Sequence, residues 1–324
     1  MHIPDGVLHP AVCAATGALS LAAVGYSLRK LKDSLADRIV PLTAMMAAFL
    51  FAAQMVNFPI PGVPVSGHLL GGVLAAAILG PWAGCIALLL VLVVQCAVFT
   101  DGGMLALGSN TLHISVIGSL GGYCVYATLR RWLGDHPRST VIAAVIASWL
   151  SVMAAAFLFC LEFFLSHANG DLQMARIFAL MAILHSAIGV GEALITGAAI
   201  QFIQQQRPDL IYNPRANSRA GITGRTLAAG VVIALAVAAF AAPFASSHPD
   251  GLEAVAQQTN FAALEQSHSA LLDDYHVPLP AGVPAWQQTS VAVAGIGGTL
   301  IVFVLALLFG RVTPQPTTIE VPHE

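Results

Sequence analysis

Residues 82–99 read WAGCIALLLVLVVQCAVF, an apolar run with no charged side chain. A helix of about 20 such residues crosses the hydrocarbon core of a bilayer. One run alone does not set an architecture, but the chain contains seven more. Comparable runs lie near 10–28, 39–56, 109–129, 139–165, 175–204, 226–246 and 287–310. The pattern predicts an all-α, polytopic membrane protein.

The overall composition agrees with that prediction. Hydrophobic residues make up 57% of the chain and charged residues 9%, against about 25% charged in soluble domains. The formal net charge is -3 and the sequence has no basic cluster, which argues against a nucleic-acid partner and leaves membrane lipid as the expected surroundings. The five cysteines all lie in apolar stretches without a CxxC spacing, so we interpret them as buried apolar residues.

The positive charges set the orientation. We add a ninth, shorter span from Leu69 to Leu79, because the flanking charges then fall consistently on one side. With the N-terminus outside and the C-terminus cytoplasmic, only Arg176 faces outward, as the positive-inside rule requires. The cytoplasmic segments then hold Arg29, Lys30, Lys32, Arg38, Arg130, Arg131, Arg138, Arg207, Arg215, Arg219, Arg225 and Arg311. We expect the chain in the inner (plasma) membrane.

The spans divide into two parts. Residues 1–205 form a predicted seven-helix substrate-binding core, and residues 226–324 a two-helix hairpin. Residues 206–225 between them are polar and rich in Pro, Asn and Arg, as expected of a cytoplasmic linker. Residues 246–286 form a long outer loop between the last two spans, and a loop of that length usually has a function or is disordered.

The first two residues form a candidate chelator. The start, Met1 to Gly6, lacks the positive charge and hydrophobic core of a signal peptide, so we expect Met1 to be the mature N-terminus. The Met1 amine, the His2 amide nitrogen and the His2 imidazole can close two chelate rings around one ion. Planar nitrogen sets suit Ni(II) or Cu(II), and affinity alone favours copper.

His68 is the candidate fourth ligand. The turn-rich segment from Asn57 to Ser66 precedes it and is expected on the same outer side as the N-terminus. A histidine at the start of a helix is also commonly a cap or a packing residue. We therefore assign the fourth nitrogen of a planar site to His68, because it is expected on the same side of the membrane as the N-terminus.

Several polar residues are candidates for orienting the ligands. Intramembrane polar residues are costly and often functional, but they also serve as interhelical hydrogen bonds. Asp5 and Asp101 attract a dication or order their turns, and His248, His268 and His276 relay metal or are simply solvated. The candidates for a supporting role around the metal are Asn57, Ser66, Asn110, His113, His185 and Glu192.

Four separated segments resemble one known family. MHIPDG at residue 1, NFPIPGVPVSGHLLGG from Asn57, DGGMLALGSNT from Asp101 and HSAIGVGEALIT from His185 resemble the cobalt/nickel substrate-binding M subunits (CbiM/NikM) of energy-coupling factor (ECF) ABC transporters. The last hundred residues, with PDGLE from Pro249, resemble the small N subunit (CbiN/NikN). Together they resemble a fused MN substrate-binding component.

The resemblance implies that Met1, His2 and His68 hold the metal through four nitrogens. It also implies a transmembrane coupling (T/Q) protein and cytoplasmic ATPase (A/O) subunits as partners, with Ni²⁺ preferred and Co²⁺ a close second as transported substrate. Neither Lys30 nor Lys32 lies in a GxxxxGK[ST] loop, so ATP hydrolysis is assigned to separate subunits and the chain is expected not to be an enzyme.

Three other functions fit the sequence less well. A stand-alone secondary metal transporter is the main alternative, although the halves show no repeat. An intramembrane metalloprotease lacks its HExxH motif. A structural scaffold has no reason to place histidine at position 2.

Overall fold

The computed structural model describes residues 2–32, 38–134, 136–168, 173–214, 222–266, 268, 270–277 and 285–312. Met1, one of the three predicted ligand residues, lies outside these ranges. The described residues are predominantly helical with almost no strand, which confirms the predicted fold class. A two-residue antiparallel hairpin, β1 (Phe58–Pro59) and β2 (Ser66–Gly67), interrupts the helices just before His68.

The helices follow the predicted apolar runs. Within the described ranges, seven helices are long and apolar enough to cross a membrane, and two shorter ones occupy the remaining predicted spans. Leu107–Leu133 is one continuous rod with a π-helical segment, Thr111–Gly121. In chain order the helices are α1 (Pro10–Lys32), α2 (Ile39–Gln54), α3 (Gly72–Leu79), α4 (Pro81–Phe99), α5 (Leu107–Asn110), α6 (Gly122–Leu133), α7 (Pro137–Ser166), α8 (Met174–Gln206), α9 (Gly224–Ala236), α10 (Gly251–Gln258) and α11 (Ala285–Val312).

Helix α3 is the short span expected from Leu69 to Leu79. It starts after Gly71 (φ 75°) and ends at Gly80 (φ 81°), two left-handed positions that favour glycine. All its residues are buried, and Gly72 lies directly against the backbone of Gly118. The small residues here therefore allow close packing within the chain.

The C-terminal hairpin packs onto the N-terminal helices. Helices α9 and α11 lie against α2, and α11 also contacts α4. The segment after α8 turns back under the bundle, where the Tyr212 N–H donates to the Ala77 carbonyl at 2.8 Å. These contacts join the two parts along their helices and at the linker end.

The two ends of the bundle differ in charge. At one end Arg38, Arg130 and residues 208–213 surround a cavity of about 430 Å³. At the other end His2 and His68 line a chamber of about 770 Å³. Because cytoplasmic ends hold most arginines, the first end faces the cytoplasm and the histidine chamber faces outward.

Candidate metal-capture site

The structure brings His2 and His68 together at the outer end of the bundle. Their rings stack with centroids 5.1 Å apart and planes inclined by 14°. Both side chains are buried, with 7% and 6% of their surface exposed. Two residues 66 positions apart in sequence therefore share one wall of the outer chamber.

The N-terminal arm is held by two polar side chains. The Asn110 side chain accepts from the Ile3 N–H at 2.8 Å and donates to the Ile3 carbonyl at 3.0 Å. The Asp5 carboxylate accepts the backbone N–H groups of residues 104, 105 and 106 at 3.0, 2.8 and 3.1 Å. Since Ile3 is also fully buried, the backbone that follows His2 is fixed.

The turn that follows His68 is held from α8 and α2. The Glu192 carboxylate accepts the N–H groups of Leu70 and Gly71 at 2.7 and 2.9 Å. The Gln54 side chain donates to the Leu70 carbonyl at 2.9 Å and accepts from Gln95 at 2.9 Å. These bonds hold the backbone of the turn that follows His68.

The two histidines have different electrostatic surroundings. Burial lowers the pKa of His68 to about 3, with a further contribution from nearby positive charge including His2. The imidazole of His68 is therefore neutral at pH 7, which is the form that binds metal. Its Nδ1 lies 3.2 Å from the Leu69 carbonyl.

Each histidine lies near a carboxylate. His2 Nδ1 is 3.0 Å from Asp101 Oδ1, and His68 Nε2 is 3.9 Å from Asp250 Oδ2. Burial alone raises the pKa of Asp101, but the charge of His2 and hydrogen bonds from His2 and Tyr275 outweigh it, so the pKa lies well below its usual range. The site thus carries negative charge from both parts of the chain.

The segment PDGLE docks beside His68. The Ser66 N–H and hydroxyl donate to the carbonyls of Pro249 and His248 at 2.8 and 2.7 Å. Asp250 caps α10 in a capping box with Glu253, which fixes its carboxylate. A Cβ on Gly251 would lie 2.6 Å from Ile188 Cδ1 and 2.9 Å from His185 Cε1, so a larger residue here would require these side chains of α8 to move.

The predicted supporting residues fall into distinct positions. Asn110 and Glu192 bind backbone next to a candidate ligand. Ser66 binds the backbone of the PDGLE segment, and Asn57 lines the chamber. His113 instead pairs with Glu162 at 2.9 Å between the π-helical segment and α7. His185 packs against the PDGLE segment. Of the outer-loop histidines, His248 and His276 line the chamber, whereas His268 packs with Nε2 3.0 Å from the Cys96 carbonyl.

Side chains alone do not form a metal cluster in the described part of the chain. No group of three or more His, Cys, Asp or Glu residues there is arranged to hold an ion. The predicted site needs backbone nitrogens from the first two residues, which such a group does not include. The sequence predicted no site role for Asp250 or Tyr275. Two signals did point to Asp250: the PDGLE motif, and the spacing to Glu253, which matches a capping box.

The helical bundle and the paired outer histidines define a polytopic membrane transport protein with a candidate site for a transition metal. The chain belongs to the family described as the cobalt uptake substrate-specific transmembrane region, which matches residues 2–210. Residues 224–315 match the PDGLE domain. The resemblance to a fused MN component is therefore confirmed.

Similar proteins include nickel and transition-metal transporters. A protein of Archaeoglobus fulgidus, named by inference as fused nickel transport protein NikMN, is 33% identical over 313 residues, covering 96% of this chain and 98% of that protein. Fused nickel transport protein NikMN of Rhodobacter capsulatus is 37% identical over 67% of this chain and 65% of its own length. The fold is also similar to a crystal structure of a transition metal transporter, with a TM-score of 0.55. The two sequences are 32% identical, and the match covers 64% of this chain and 93% of the other.

These matches establish the general function. The chain is a multi-pass membrane protein that acts in metal uptake as a CbiM-type transporter component.

Proposed function

We propose that the chain captures Ni²⁺, with Co²⁺ as a close second, from outside the cell as the substrate-specificity subunit of an ATP-driven ECF transporter in the inner (plasma) membrane. The ligands are the Met1 amine, the His2 amide nitrogen and imidazole, and the His68 imidazole. The observation that carries the proposal is the stacked pair of buried histidines at the wall of the outer chamber.

Metal binding requires a change at His2. Its Nδ1 now faces Asp101, while Nε2 has no hydrogen-bond partner among the described atoms. The six-membered chelate ring that contains the His2 amide nitrogen and the metal closes through Nδ1 of the imidazole. Because Nδ1 now faces Asp101, the imidazole must rotate by 180° about the Cβ–Cγ bond before it can bind the metal. That turn moves Nε2 to the edge now occupied by Cε1, next to the Asp101 carboxylate.

The preference for nickel rests on geometry and on relatives. Four nitrogens in a plane suit Ni(II) better than Co(II), although Cu(II) binds more tightly still to such a set. Two similar proteins that share the fused organisation carry nickel in their names. The family description refers to cobalt, which keeps Co²⁺ as the second substrate.

The energy source is assigned to partners. The sequence contains two lysines, and neither lies in a phosphate-binding loop, so a coupling (T/Q) protein and ATPase (A/O) subunits drive release to the cytoplasm. A stand-alone secondary transporter is the alternative. The buried His113–Glu162 pair inside the bundle favours it, because such pairs can move protons.

The first experiment is calorimetric titration of the purified chain with Ni²⁺, Co²⁺ and Cu²⁺. One variant adds a residue before Met1, and the matched control adds the same residue after Glu324. We expect one tight Ni²⁺ site in the wild type and the control, and its loss in the N-terminal variant. Equal binding by all three proteins rejects the N-terminal chelate. Uptake by vesicles that contain this chain alone would support the secondary transporter.

A further inference from the structure

We infer that Tyr275, in the C-terminal part, is a positioning residue for the metal site, and that it acts on His2 through Asp101. The inference rests on the proposed function, since it concerns the same ligands. It adds a residue that no sequence pattern indicates and that lies outside the substrate-binding core.

A chain of short bonds connects the two parts. The Tyr275 hydroxyl donates to Asp101 Oδ2 at 2.6 Å, and Asp101 Oδ1 lies 3.0 Å from His2 Nδ1. One carboxylate therefore uses one oxygen for the C-terminal part and the other for a candidate ligand. The same carboxylate serves the imidazole in either ring orientation, because the half-turn places Nε2 on the side of Asp101.

Tyr275 is locked in place independently of that bond. Its ring stacks on Phe99 with centroids 4.7 Å apart and an angle of 18°, and it also contacts Phe51. Nearby, the Leu272 N–H donates to the Val98 carbonyl at 2.9 Å. The hydroxyl is thus held at a fixed point above the end of α4, where Asp101 follows.

Backbone strain concentrates at this contact. Asp274 and Tyr275 have φ angles of 51° and 58°, and Thr100, next to Asp101, has a φ of 57°. Residues with a Cβ rarely adopt this left-handed region, and a β-branched residue least of all. Strained positions tend to cluster at functional sites, and here they lie on both sides of the Tyr275–Asp101 bond.

The chemistry favours a positioning role. Burial and the Asp101 charge raise the pKa of Tyr275 well above 10, so it remains a hydrogen-bond donor. A carboxylate that is itself held by a donor orients a ligand imidazole, and losing such an outer partner typically weakens metal affinity 10- to 100-fold. Without the hydroxyl, Asp101 can turn away from His2.

The test compares Tyr275→Phe, Asp101→Asn and the double variant in the full-length chain. Tyr123→Phe is the control, since Tyr123 packs against Tyr126 and Tyr212 at the cytoplasmic end. Calorimetry gives Ni²⁺ affinity, thermal unfolding reports integrity, and electron paramagnetic resonance of bound Cu²⁺ reports how the nitrogens are arranged.

We expect Tyr275→Phe to weaken Ni²⁺ binding about tenfold and to change the Cu²⁺ spectrum, with a small decrease in melting temperature from the lost hydrogen bond. The double variant should bind no more weakly than Asp101→Asn, because Tyr275 acts through Asp101. Wild-type affinity and spectrum in Tyr275→Phe, while His2→Ala abolishes binding, overturn the inference and leave the proposed function standing. If His2→Ala binds Ni²⁺ like the wild type, the proposed function fails and this inference with it. A lower melting temperature with a wild-type spectrum shows a purely structural role and also overturns the inference.

Discussion

Asp250 Oδ2, in the C-terminal part, lies 3.9 Å from His68 Nε2, in the N-terminal part. The carboxylate is 19% exposed and is fixed as the cap of α10. The PDGLE segment thus places a negative charge next to a candidate metal ligand. The N-terminal and C-terminal parts therefore meet at the outer site.

This arrangement predicts separable effects at Asp250. Asp250→Ala removes both the cap and the charge, and we expect it to lower the free energy of unfolding by about 1 kcal/mol. Asp250→Ser retains a capping side chain and removes only the charge. Both variants should bind Ni²⁺ more weakly, because the carboxylate favours the bound cation. Equal affinities for the wild type and Asp250→Ser, measured by calorimetry, would show that the charge has no role.

Gly251 tests the docking of α10 on α8. A methyl group at Gly251 meets Ile188 and His185 at 2.6 and 2.9 Å, so we expect Gly251→Ala to reduce the free energy of unfolding by about 1–3 kcal/mol. Gly297→Ala is the matched control, since nothing lies within 4 Å of its Cβ position. In a helix that change should be neutral or stabilising by up to about 1 kcal/mol. Denaturant unfolding in detergent measures the stability of both variants. Similar unfolding curves for Gly251→Ala and Gly297→Ala would mean that α10 does not pack against α8.

The sequence predicted the helices well and the contacts between parts poorly. Run length and charge placement are local signals, and each of the nine predicted spans, the one at α3 included, coincides with a helix in the described part of the chain. The capping-box spacing of Asp250 and Glu253 indicates a helix start but not its neighbour. No sequence pattern predicted a role for Tyr275. Its role depends on a turn with positive φ angles that contacts Asp101, a residue 174 positions earlier in the sequence.

His68 predicts a pH dependence of stability measured with a chelator present. Its pKa is about 3 in the folded chain and about 6.5 when unfolded. Between these values the unfolded state binds the extra proton, so stability falls as pH drops from 6.5 towards 3. We expect the melting temperature of the wild type to decline more steeply over pH 6.5 to 4 than that of His68→Gln. Parallel declines would mean that His68 is not buried as a neutral group.

A substitution at Glu192 should weaken the hydrogen bonds that hold the turn after His68 while leaving the candidate ligands unchanged. Its carboxylate accepts two N–H groups, from Leu70 and Gly71, whereas a glutamine offers one oxygen and points an amide donor at the other. We expect Glu192→Gln to lower the free energy of unfolding by about 1–3 kcal/mol and to weaken Ni²⁺ binding by about tenfold.

Glu162→Gln is the control for Glu192→Gln, because it neutralises another buried carboxylate, one that contacts His113 and not the His68 turn. Calorimetry on both variants distinguishes the two explanations. Weaker binding in Glu192→Gln alone assigns the effect to the position of His68. Equal losses in both variants would mean that removing negative charge anywhere in the bundle reduces affinity, and the hydrogen bonds to Leu70 and Gly71 would then have no specific role in metal capture.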